Sequence, residues 1–97
     1  MRIKGLFKLQ DTYGFPLSDS LNECFDKGYL PNLENYIGEA LLHNWTDEKI
    51  SEYLINGYSD SKFGRPIIDI KAYVAFVIMK YWKNDLQTTA KILVDVE

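Results

Sequence analysis

No segment of this chain runs far before a helix-starting or helix-stopping residue interrupts it. Gly14, Pro16, Gly28, Pro31-Asn32, Asn44, Thr46, Gly57, Gly64, Pro66 and Asn84-Asp85 leave room only for short helices between them. Within each interval the apolar residues recur at three- and four-residue spacings, the period of a helix with one buried face. Ile3, Leu6, Phe7, Leu9 and Tyr13 place a first helix ending near Gly14. Pro16 suits the first turn of a second, where its missing N–H is not needed. Its apolar face is Leu17, Leu21, Cys24 and Phe25, with Asp19 and Glu23 early, Lys27 late and Gly28 as the stop.

Asn32 caps a third helix with the stripe Leu33, Tyr36, Ile37, Ala40 and Leu41. Thr46-Asp47-Glu48 opens a fourth, facing inward through Ile50, Tyr53 and Leu54 and stopping at Gly57. Pro66 is expected to open the longest helix, running to about Lys83, with Ile67, Ile70, Val74, Val77, Ile78 and Tyr81 inside. Ala72, Tyr73, Phe76, Met79 and Trp82 leave it little polar surface. A helix apolar nearly all round is usually central, so either the others wrap it or part of it meets a second subunit. Asn84 or Asp85 caps a last helix carrying Leu86, Ala90 and Leu93. The tail Ile92–Val96 has no strand partner and is expected to be helical or disordered. The expectation is a single all-α domain over 1–97, with helix-turn-helix corners over 1–57 and a long plus a short helix over 66–97. Five or six short helices surround Pro66–Lys83, and the corner Tyr13-Gly14-Phe15-Pro16 packs against it.

Composition narrows the chemistry. Seven Tyr, five Phe and two Trp in 97 residues argue against a disordered chain. The net charge of −3 argues against a dedicated nucleic-acid binder. The charge is uneven, however: residues 1–57 hold five basic and nine acidic side chains, residues 58–97 six and five. Any phosphate contact belongs in the second half. Cys24 and His43 are the only residues of their kinds, so neither a disulfide nor a structural zinc site is expected. The longest apolar run, Ala72–Met79, is too short for a bilayer, and no secretory leader is legible. The expectation is a cytoplasmic protein with no membrane partner.

No catalytic constellation stands out. Asp11 next to Thr12-Tyr13-Gly14 reads as a turn-forming side chain. Asp19, Glu23 and Asp26 read as a solvated helix face, and Asp47 and Glu48 as helix-start charges. His43 lacks a recognisable nucleophile, and Cys24 lies on an apolar face as a core thiol. Phosphate loop, dinucleotide fingerprint and EF-hand spacing are absent. No catalytic residue, cofactor, metal or small-molecule substrate is expected. Lys62, Arg65, Lys80 and Lys83, interleaved with Tyr58, Phe63, Tyr81 and Trp82, form a candidate basic-aromatic patch for nucleic acid. The alternative for these residues is an ordinary helix with snorkelling lysines. Phe76, Met79 and Trp82 form a candidate interaction surface.

Phe7, Leu9, Asp11, Thr12, Tyr13, Gly14, Phe15, Pro16 and Leu17 resemble a segment of alanyl-tRNA synthetase that precedes its editing region, with Gln10 where that family has Tyr. The likeness extends to about Leu41. It implies a helical packing unit associated with tRNA recognition, and no aminoacylation or editing, since those motifs lie elsewhere in the family. Gly64-Arg65-Pro66 and the apolar helix after it look like the N-terminal helices of some insertion-sequence transposases. Together the likenesses fit a small phage or mobile-element protein. The leading expectation is a non-enzymatic interaction module that binds a protein partner or its own copy. RNA (tRNA) or DNA binding through the basic-aromatic patch is the alternative.

Overall fold

A computed structural model describes residues 1–97. Four of its six helices begin where a side chain closes the first turn. The Asn32 side chain accepts from the Asn35 N–H at the start of α3 (Leu33–Leu42), and Thr46 from Lys49 at the start of α4 (Asp47–Ser59). Asp69 accepts from Ala72 before α5 (Ile70–Lys80), and Asp85 from Thr88 before α6 (Leu86–Val94). Each such cap satisfies a backbone donor that the helix itself cannot. Upstream lie α1 (Leu6–Asp11) and α2 (Leu17–Lys27). Gly14 adopts a left-handed φ of 72°, which lets Phe15 donate its N–H back to the Leu9 carbonyl at 3.0 Å and turn the chain out of α1. The six helices hold 62% of the chain, so the all-α expectation holds.

Two features lay outside the helical reading. Ile3 is not helical: β1 (Arg2–Ile3) pairs in parallel with β2 (Leu30–Pro31), in the register Arg2↔Leu30 and Ile3↔Pro31. Two asparagines then tie this end of the molecule together. Asn32 donates to the Val96 carbonyl at 2.7 Å. Asn35 accepts from Gly5 N–H and donates to the Val94 carbonyl, both at 2.9 Å. Both asparagines are buried, and each side-chain oxygen and nitrogen has a hydrogen-bond partner, as buried amides require. The tail expected to be helical or disordered is therefore helical to Val94 and anchored beyond it.

The centre of the bundle is α3, not the apolar helix after Pro66. Asn35, Tyr36, Ile37, Gly38, Ala40 and Leu41 of α3 are all buried. At Gly38 the backbone of α6 comes so close that a β-carbon would sit 2.8 Å from the Ala90 carbonyl, the Leu93 Cβ and the Val94 nitrogen. The expected long helix starts four residues after Pro66, at Ile70, and ends at Lys80. Only Ile70, Val74 and Val77 of it are buried, while Ile78 and Tyr81 are partly so and Ile67 is fully exposed. Pro66 does not open it because Asp69 supplies the cap three residues later. Gly57 does not stop α4, which is the longest helix. It faces the Leu17 side chain, where a Cβ would lie 2.7 Å from Cδ2. The corner Tyr13-Gly14-Phe15-Pro16, expected to pack against the apolar helix, is solvent-exposed throughout. Phe25, Tyr53 and Leu86, expected inside, are also exposed. No helix is long and apolar enough to cross a membrane.

Candidate functional site

The helix α5 has two apolar faces and only one core to bury. Ile70, Val74 and Val77 recur at spacings of four and three and point inward against α4 and the interior. Ala72, Ala75, Phe76 and Met79, offset from them by about half a turn, are all exposed. Ile68 just before the helix, beside Ile55 and Ser59 of α4, and Trp82 just after it are exposed as well. Ile68 is 50% exposed, Phe76 53%, Met79 70% and Trp82 51%. Large side chains offer roughly 150–250 Å² each, so these four alone present on the order of 350–550 Å² of side-chain surface. That matches the largest apolar patch of a typical monomer, about 300–600 Å² and often functional. Lys71 and Lys80 lie on opposite flanks of the stripe, and Asp69 and Lys83 lie at its two ends.

The structure does not gather the four basic residues into one patch. Lys62 and Arg65 precede α5 and Lys80 and Lys83 lie at its far end, separated by a helix about 16 Å long. The Lys62 ammonium is already paired with Asp26 at 2.7 Å, and its backbone N–H donates to the Asn22 side chain. Lys80 rests 5.3 Å from the centre of the Tyr81 ring. Of the interleaved aromatics, Tyr58 and Phe63 turn into the protein's packing, and burial pushes the Tyr58 phenol up to about 12.

Asp11 and His43, read separately from the sequence, are brought together. The His43 Nε2 lies 3.7 Å from an Asp11 carboxylate oxygen, while Nδ1 lies 2.9 Å from the Glu39 carbonyl and so carries its proton there when the ring is neutral. The ring also sits against Phe7, with centroids 5.1 Å apart, in a cluster with Trp45 and Tyr36. Both partners are half-exposed and neither lines the larger hollows of the surface. The pair joins the end of α1 to the end of α3.

The exposed corner does help to shape one cleft, of about 420 Å³, between α1 and α2. Phe15, Ile3, Leu6, Leu9 and Tyr29 give it apolar walls, and Asp19, Glu23 and Lys27 mark its edge. Cys24 lies at its base. Burial, reinforced by Glu23, pushes that thiol up, so it stays protonated near neutral pH and is a poor nucleophile. Glu23 and Lys27 are paired with each other at 3.4 Å. No three His, Cys, Asp or Glu side chains gather where they could hold a metal ion. Sequence reasoning missed this cleft because its walls come from β1, α1 and α2 together. Comparison with family models, curated proteins and solved structures gives no match.

Proposed function

We propose that this protein is a non-enzymatic helical interaction module that engages a protein partner through the outward face of α5. The observation that carries this is the second apolar stripe, Ala72-Ala75-Phe76-Met79 with exposed Trp82 just beyond it, on a helix whose first stripe already satisfies the core. Exposed Leu or Ile side chains scattered singly need no explanation, whereas a contiguous stripe rimmed by charge does. Lys71 and Lys80 form that rim, the apolar-centre and polar-edge layout of protein interfaces. The expectation of a cytoplasmic protein goes with this reading.

Nucleic-acid binding is the weaker reading, because its cations are split between the two ends of α5 and one is internally paired. The test is a photo-reactive benzoylphenylalanine in place of Phe76, with the same group in place of exposed Glu52 as the reference, in cells that make the protein naturally. Protein adducts at Phe76 well above those at Glu52 are expected. Equal adducts at the two positions refute the module reading. Adducts removed by nuclease rather than protease transfer the face to nucleic acid.

A further inference from the structure

We infer that the partner at this face is a second copy of the chain, docked α5 against α5, antiparallel, about a two-fold axis passing between Ala75 and Phe76. The inference rests on the module reading above and gives its partner. A two-fold interface must be self-complementary, because the same patch is used twice. The stripe meets that condition. Antiparallel pairing about that axis sets small Ala72 opposite large Met79 of the partner subunit, while the two Ala75 side chains meet on one flank and the two Phe76 rings on the other. The alanines let two helices approach to the usual 8–10 Å, and the large side chains fill the space beside them.

The small-against-large match selects the antiparallel sense, and charge complementarity agrees with it. Asp69 and Lys80 lie on the same flank of α5 at opposite ends. Antiparallel pairing brings each Asp69 beside the partner subunit's Lys80, twice by symmetry, with Lys83 nearby. Parallel pairing would instead set Ala72 against the partner subunit's Ala72 and Met79 against the partner subunit's Met79, leaving one end of the pair loose and the other overfilled. The two Lys71 side chains stay well apart in the antiparallel arrangement, since they sit toward opposite ends of the pair. The area also fits. A standard interface takes about 800 Å² per partner, of which about 56–65% is apolar, and the exposed large apolar side chains on and beside α5 present on the order of 350–550 Å².

Two single variants, Ala72→Cys and Met79→Cys, test the arrangement in the full-length chain. Both positions are exposed, so both variants should fold. Cys24 is buried with a raised pKa and does not compete. Facing residues come within disulfide reach, whereas two copies of the same variant hold their thiols about 10 Å apart along the axis. An equimolar oxidised mixture is expected to give the mixed dimer, and neither variant alone should cross-link. Separately, Lys80→Glu should raise the dimer dissociation constant roughly tenfold, two exposed pairs being lost. Adding Asp69→Asn, which keeps the helix cap, should recover part of that loss. Efficient cross-linking of either variant with itself, or a dimer with no mixed disulfide, overturns the antiparallel arrangement. A parent chain that sediments at 11.3 kDa at all concentrations overturns the second copy as partner. In that case adducts at Phe76 with other proteins would leave the module reading standing, and their absence would remove both.

Discussion

Replacing Gly38 by Ala tests whether the bundle is built around α3 and α6. Alanine is favoured over glycine inside a helix by about 1 kcal/mol, so on an open helix face the change would stabilise. Here the new methyl group would lie 2.8 Å from three atoms of α6, two of them backbone: the Ala90 carbonyl oxygen and the Val94 nitrogen. Backbone atoms cannot rotate aside. The helix cannot slide freely either, because Asn35 holds the Val94 carbonyl and Asn32 holds that of Val96. Overpacking of this kind costs about 1–3 kcal/mol, toward the upper end when the obstacle is backbone. Less the helix-propensity gain, the expected net loss is about 2 kcal/mol, or roughly 8–16 °C in Tm for a chain of this size. Gly57→Ala is the internal control. Its methyl would meet only the Leu17 side chain, at 2.7 Å from Cδ2, 2.9 Å from Cγ and 3.2 Å from Cβ. Rotation of that side chain frees the first two contacts and a shift of a few tenths of an ångström frees the third, so the change should stay within about 1 kcal/mol of the parent. Urea titration followed by circular dichroism, with m unchanged, reads both variants. If Gly38→Ala is as stable as the parent or as Gly57→Ala, the close α3–α6 contact is wrong.

Three further outcomes follow from burial and capping. Phe7→Ala should lose about 3–5 kcal/mol, because Phe7 is buried among Tyr36, His43 and Trp45, while Phe15→Ala at the exposed corner should lose less than about 1.5 kcal/mol. Equal losses in chemical denaturation would contradict that contrast. Burial raises the Tyr36 and Tyr58 phenols, Tyr58 to about 12. Their neutral forms therefore stabilise the fold fully below the unfolded value near 10, and this contribution is lost as pH rises from about 10 toward 12. Tyrosinate absorbance should show a late group of tyrosines titrating together with loss of helix, and smooth titration of all seven near pH 10 would contradict it. At the acid end, hydrogen bonds from Thr88 hold the Asp85 carboxylate below its ordinary value. Its cap is complete above that ordinary value near 4 and is lost as pH falls through the depressed one. Asp85→Asn, which caps without ionising, should weaken the acid dependence of thermal stability, and an unchanged pH profile would count against the cap.

Much of the helix punctuation was legible because it is local chemistry. Asn32, Thr46 and Asp85 close their own first turns, and Gly28 ends α2 in a left-handed cap, as expected from the sequence. The errors lie where two meanings share one residue type. Glycine both stops helices and lets them touch, so Gly57 looks like a stop in the sequence although it makes room for Leu17. Proline both opens helices and bends the chain before them, so Pro66 displaced Asp69 as the start of α5. The pairing Arg2↔Leu30, Ile3↔Pro31 is too short to leave a period of two. Apolarity around α5 had two readings in the sequence, a wrapped helix or a helix meeting another subunit. Only the placement of Gly38 and the two buried asparagines shows that the core lies elsewhere. Phe76, Met79 and Trp82 stood out as surface candidates from the sequence. Ala72 and Ala75 became part of the same face only when the inward direction of Val74 and Val77 was known.

The chain carries its own pair of probes for whether the outward stripe is covered. Met79 is 70% exposed on the stripe and Met1 is 80% exposed away from it, and both are open to mild oxidation. The measurement is the ratio of Met79 to Met1 sulfoxide formation under dilute peroxide, read by mass spectrometry in purified dilute protein and inside the cells that make it. Comparable rates in dilute solution and a several-fold protection of Met79 relative to Met1 in the cell are predicted. The same ratio in both settings would contradict the assignment of the α5 face as a surface that is covered when the protein works.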